Sequence, residues 1–181
     1  MLNVYKEAMR RTINKQAEVL FDKLGLEPGF DIKNTVEKLG GEIQIKENLK
    51  ENIEAQICPQ DGDCDGFLIE CRTAFDIDDA YTRFSIAHEL GHLFLHMASP
   101  DEQKGYKLSG RYHKETQNTS ICEWEAEEFA AAFLMPEKIF RIKVDTVRMN
   151  KNINDKIEYL ANMFKVPYKS VITRGKSLEI W

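Results

Sequence analysis

Long hydrophobic runs are missing from this 181-residue sequence. None approaches the roughly 20 apolar residues that a helix needs to cross a bilayer, and the charged segment 1–16 lacks the apolar block of a secretory signal. Cysteine is also scarce, with four residues and no closely spaced pair. These absences exclude a disulfide-rich secreted protein and predict a cytoplasmic protein with reduced thiols.

An excess of basic residues is absent too. The chain has 25 Lys and Arg against 30 Asp and Glu, so its formal net charge is -5, and we expect no direct binding to nucleic acid and no attachment to a membrane. Its length suggests a single domain over 1–181. We expect N-terminal helices over 1–40, a sheet with the site helices over 41–135, and a helical portion over 136–181.

The periodicity of apolar residues divides the chain into helices and strands. Spacing of the helical kind predicts helices, and alternation of period two predicts strands. The expected helices are 5–24, 31–39, 79–97, 119–135, 136–149 and 154–175, the last broken by Pro167, and the expected strands are 43–45, 53–58 and 67–71. This order predicts an α+β fold, in which a small mixed or antiparallel sheet packs on a helical bundle.

The predicted helix 79–97 carries one polar stripe on an otherwise apolar surface. At ~100° per residue, its polar side chains after Arg83 fall within about 100° of one another. They are Ser85, His88, Glu89, His92 and His96. A helix that is apolar on its other faces is buried, so the stripe must face a cleft, a metal or other polar groups.

The spacing of His88 and His92 is that of a zinc site. Four residues apart, both imidazoles project from one face of the helix and could bind one zinc ion. Glu89 leans toward the coordination position of the metal that a water molecule would occupy. There it could accept a proton from the attacking water and deliver it to a leaving amine. His96 is two turns from His88, too far to share its metal, and is expected to form hydrogen bonds near the helix end.

Three other interpretations of the stripe compete with a zinc site. The histidines could be hydrogen-bonded core residues, the stripe could be solvated, or it could be half of a di-iron site. Apolar surroundings argue against a solvated stripe. A di-iron site needs a second Glu-x-x-His pair, which the sequence lacks.

A third zinc ligand is expected on the helix that follows the polar loop 99–118. Glu123 and Glu127 share one face of that helix, and small residues between them would let it pack closely. Glu123 also ends a capping box, so spacing alone leaves both glutamates as candidates, with Glu123 preferred. The neighbouring Glu125 and Glu128 are expected to face water.

Two segments, RFSIAHELGHLFLH and EWEAEEFAAAFLMP, together resemble the motifs of the ImmA/IrrE family of zinc metallopeptidases. That family is similar to gluzincins around the metal. The motifs span roughly 82–136. Together they are far more specific than the five-residue pattern from His88 to His92 alone. The resemblance implies a zincin-like core helix and hydrolysis of peptide bonds.

The resemblance also implies a role for each motif residue. His88, His92 and Glu123 would bind one zinc ion per chain, and Glu89 would be the general base and acid. This chain has Glu127 where the family usually has Asn or Asp, and that residue would support His88 from outside the coordination sphere.

A second donor beside the metal is expected to assist the oxyanion. Tyr106, Tyr112 and His113, in the loop 99–118, are the candidates; the alternative for each is a loop residue without a catalytic role. By resemblance to gluzincins, the strand 67–71 would be an edge strand that receives the substrate backbone, with an ordinary sheet strand as the alternative.

The resemblance implies a protein substrate, commonly a phage-like or mobile-element repressor with a helix-turn-helix domain, or an antitoxin. The sequence therefore predicts a zinc endopeptidase that cleaves such a regulator. The alternative is a metal-containing regulatory module that binds a partner without cutting it. Glu89 favours catalysis, because a scaffold needs no acid at that position.

Overall fold

A computed structural model describes residues 2–46, 48–49, 53–59, 66–72, 76–99, 107–108, 120–147 and 152–181. Its elements, in chain order, are α1 (Leu2–Lys23), α2 (Ile32–Lys38), β1 (Gly41–Ile45), β2 (Ala55–Pro59), β3 (Phe67–Cys71), α3 (Ala80–His92), a π turn (Leu93–Met97), β4 (Ala98–Ser99), β5 (Lys107–Leu108), α4 (Ser120–Leu134), α5 (Glu137–Val147), α6 (Ile153–Phe164) and α7 (Tyr168–Ser177). The predicted α+β class is confirmed. Within the described residues, no helix is long and apolar enough to cross a membrane.

The chain forms two compact units. The sheet unit comprises Asp31–Glu127, and the helical unit comprises Met1–Phe30 with Glu128–Trp181. That 1–181 is one metallopeptidase-like domain stays a prediction.

The main sheet of the sheet unit has the strand order β1-β3-β2. β1 runs parallel to β3, and β2 runs antiparallel to it, with Ile43 and Ile57 both opposite Ile69. Ile57 and Ile69 are fully buried, and α3 packs against β2 and β3. The predicted strand 67–71 is therefore central, and the expectation that it is an edge strand is wrong. Among the described strands, the edges of this sheet are β1 and β2.

Gly41 is the first residue of β1 and lies against the ring of Phe67, its neighbour on β3. A Cβ atom at this position would lie 2.3 Å from Cε2 and Cζ of Phe67, a fully buried side chain. We expect Gly41→Ala to lower the free energy of unfolding by about 1–3 kcal/mol, because neither strand can move freely to relieve the overlap. Urea unfolding measures this loss.

A second variant tests the cause of that loss. In a Phe67→Leu background the overlap is smaller, so Gly41→Ala should cost less there than in the natural chain. An equal cost in the two backgrounds, or no cost in the natural chain, would contradict the packing of Phe67 on Gly41.

The helical unit encloses a buried arginine. Arg174 on α7 is 1% exposed; its Nη1 donates to Asn14 Oδ1 at 2.9 Å, and its Nε donates to the carbonyl of Met135 at 3.1 Å. Nearby, Glu128 accepts a hydrogen bond from Arg10 Nε at 2.7 Å and is buried. The expectation that Glu128 faces water is wrong, because its charge is paired inside the unit.

Candidate metal centre

Helix α3 begins where Asp79 caps it. The Asp79 carboxylate accepts the N–H groups of Tyr81 at 2.9 Å and Thr82 at 3.2 Å, which satisfies two donors of the first turn. Ile86, Ala87 and Leu90 are fully buried. Because these apolar faces pack inward, the orientation of the polar stripe is fixed.

The three predicted ligands converge. His88 Nε2 and His92 Nε2 are 3.0 Å apart, and Glu123 places Oε2 3.2 Å from His88 Nε2 and Oε1 3.5 Å from His92 Nε2. Ligand atoms bound to one tetrahedral zinc at 2.0–2.1 Å lie about 3.3 Å from one another. The three side chains therefore fit a single zinc ion, and they are close enough together to hold a metal.

The electrostatics of the trio also suit a cation. Burial, followed by the neighbouring His88, lowers the pKa of His92 to about 4, while the hydrogen bond with His88 is the largest cause of the lowered pKa of Glu123. At neutral pH, His92 is thus neutral and Glu123 ionised. These are the protonation states that bind a metal ion.

Glu89 follows His88 on α3, and its side chain is held by the sheet. It is buried, and its Oε2 accepts the backbone N–H of Ile57 on β2 at 2.9 Å. In the antiparallel pair of β2 and β3, Arg72 N–H donates to the carbonyl of Glu54. Hydrogen-bonded and non-hydrogen-bonded positions alternate along such a pair, so the N–H of Ile57 points away from β3. The carboxylate is therefore fixed at the outer edge of β2.

Beyond His92, the contacts continue to His96 and Glu125. His92 Nδ1 is 3.1 Å from His96 Nδ1, and His96 Nε2 is 3.0 Å from Glu125 Oε2. Glu125 is 7% exposed, so the expectation that it faces water is wrong. Its partner is 29 residues earlier in the chain, which spacing within one helix cannot indicate.

A family model supplies an independent comparison. The model of the M78 peptidases, described as the IrrE N-terminal-like domain, matches residues 78–175. This chain belongs to the M78 peptidase family. The predicted ImmA/IrrE membership is confirmed.

One solved structure that resembles this M78 chain is a Mycobacterium tuberculosis transcriptional regulator. The TM-score is 0.61 at 20% sequence identity, over 93% of this chain and 50% of that one. The likeness shows a shared fold, and the present chain spans half the length of that regulator. A search among curated proteins finds no match.

The remaining predicted site residues of the M78 chain are Glu127 and three residues of the loop 99–118. Glu127 is exposed, and within the described part of the chain the hydrogen bonds of His88 go to His92 and Glu123. Its support of His88 stays a prediction. Tyr106, Tyr112 and His113 lie outside the described residues.

Sequence reasoning missed a cavity of about 330 Å³ one helical turn from His88. Its lining residues are Glu54, Arg72, Tyr81, Thr82 and Ser85. The Thr82 hydroxyl is buried and has no hydrogen-bond partner among the described residues. Ser85 belongs to the polar stripe and was the one signal for this cavity in the sequence.

Proposed function

We propose that this M78 chain is a zinc-dependent endopeptidase that cleaves one regulatory protein, either a helix-turn-helix repressor of a phage-like or mobile element or an antitoxin. The observation that carries the proposal is the convergence of His88, His92 and Glu123, with the buried carboxylate of Glu89 next to His88 in the chain. Family membership supports the class of reaction. The shape of the donor set supports zinc.

Each residue of the site has a distinct task. His88, His92 and Glu123 would hold the zinc ion, which supplies a Lewis acid for the scissile carbonyl and lowers the pKa of water to ~7. Glu89 accepts the proton of the attacking water and transfers it to the leaving amine. The hydrogen bond from Ile57 keeps this carboxylate in place.

The edge of β2 is the proposed position for the substrate backbone. β2 pairs with β3 on one side, and its other edge pairs with no strand among the described residues. A peptide could add there as a further strand. The cavity beside Ser85 would then receive one of its side chains.

A second function deserves a test because of the solved structure named as a transcriptional regulator. In that alternative, the chain binds its partner through the same face without cutting it. The metal would stabilise the fold of the site. Both functions predict a complex, and only the first predicts fragments.

The test uses zinc removal. The protein is stripped with a chelator, reloaded with one equivalent of zinc, and incubated with the repressor or antitoxin encoded beside its gene; intact-mass spectrometry then detects fragments. We expect one discrete cut with the reloaded protein and none with the stripped protein. A stable complex without fragments would favour the binding module, and equal cleavage by the stripped protein would contradict a metallopeptidase.

A further inference from the structure

We propose that His96 and Glu125 form a hydrogen-bonded relay that orients His92 toward the metal. The proposal rests on the proposed function, because it takes zinc at His88, His92 and Glu123 as given. His96 and Glu125 are positioning residues: they act through His92 and not on the substrate.

The positions of the protons follow from the contacts. When the lone pair of His92 Nε2 binds zinc, the ring carries its proton on Nδ1. The atom 3.1 Å from Nδ1 is His96 Nδ1, which must therefore accept this proton. A neutral His96 then carries its own proton on Nε2 and donates it to Glu125 Oε2 at 3.0 Å. Each donor in this chain faces one acceptor.

Because Glu125 is buried, the carboxylate at the end of the relay needs a hydrogen-bond donor. The side chains of His96 and Glu125 are 11% and 10% exposed, and a charge removed from water is costly unless donors compensate it. The Glu125 carboxylate holds the His96 ring through Nε2, which keeps His96 Nδ1 turned toward His92. Partners of this kind fix the tautomer and orientation of metal-binding histidines. His96 lies in the π turn, an irregularity that is frequent at functional sites.

A second metal ion is the competing explanation for these residues. His96, Cys122 and Glu125 each offer a ligand atom, and these atoms lie within 4.8 Å of one another. A metal on His96 Nε2 would move the proton of that ring to Nδ1. Two N–H groups would then face each other at the 3.1 Å contact with His92. Zinc on His92 Nε2 therefore favours the relay over a second ion.

The experiment measures zinc affinity by competition with a chromophoric chelator. We expect His96→Leu and Glu125→Leu to weaken zinc binding about 10–100-fold. His96→Gln should recover part of the loss, because its amide offers both an acceptor and a donor. Glu128→Gln is the matched control: it removes the charge of another buried glutamate on α4, one that pairs with Arg10, and should leave the affinity unchanged.

Cobalt and urea separate orientation from general stability. In cobalt-loaded protein, the visible absorption bands should shift in His96→Leu and stay in place in Glu128→Gln. Urea unfolding of the metal-free variants reports any loss of the fold itself. Should His96→Leu not fold, Glu125→Gln carries the test, because it keeps an acceptor for His96 and should show a smaller loss of zinc affinity.

The outcomes distinguish the relay from the proposed function. Zinc bound by the natural chain at a single site, with unchanged affinity in both leucine variants, would overturn only the relay. No zinc bound by the natural chain would overturn both. Two zinc ions per chain, reduced to one by Cys122→Ala, would overturn the relay and assign a second metal site.

Discussion

Glu89→Gln should lower the rate of substrate cleavage by about 10²–10⁴-fold, the usual contribution of a positioned general base. Glutamine keeps an oxygen that can accept the N–H of Ile57, so the local structure should persist. It cannot take up the proton of the attacking water. The measurement is the cleavage rate of the partner protein at saturating zinc, followed by mass spectrometry.

Two controls accompany this variant. Zinc affinity should remain that of the natural chain, because Glu89 is not one of the proposed ligands. Glu42→Gln changes an exposed glutamate on β1 and should cleave at the natural rate. Full activity of Glu89→Gln would reject this carboxylate as the base.

Arg174→Met should reduce the free energy of unfolding by about 2–6 kcal/mol, since it leaves two buried acceptors without their donor, at about 1–3 kcal/mol each. Burial lowers the pKa of Arg174 to about 10, with the carboxylates of Glu128, Glu18 and Glu137 opposing that shift. The guanidinium is therefore charged at neutral pH. Methionine would leave the Asn14 amide oxygen and the Met135 carbonyl without their donor.

Urea unfolding measures this effect, and Arg11→Met is its control. Arg11 forms an exposed ion pair with Glu7 within α1, a type of contact that contributes about 0.3–0.5 kcal/mol. A loss for Arg174→Met no larger than that of Arg11→Met would show that the buried cluster does not stabilise the helical unit.

The sequence was sufficient wherever neighbours along one helix decide the outcome. The inward apolar faces of α3 and the shared side of His88 and His92 both follow from helical periodicity. The approach of Glu123 was reached through spacing and the family motif together. The helical features depend on residues a few positions apart, whereas Glu123 is 35 residues from His88 and its choice needed the family motif.

Other features depend on partners that are distant in the chain. Glu125 and Glu128 sit on a helix whose polar positions suggested a solvated side, yet His96 and Arg10 pair with them across 29 and 118 residues. The central place of β3 depends on how three strands pair. Hydrophobic patterns give strand positions, but they give no order of pairing.

The bond between Glu89 and Ile57 has a consequence for how a peptide would enter. A backbone amide has a single hydrogen, and the amide of Ile57 donates it to the Glu89 carboxylate. An incoming chain that pairs with this part of β2 has to compete for that hydrogen. Binding of the peptide would then free the Glu89 carboxylate from Ile57 as the scissile bond comes within its reach.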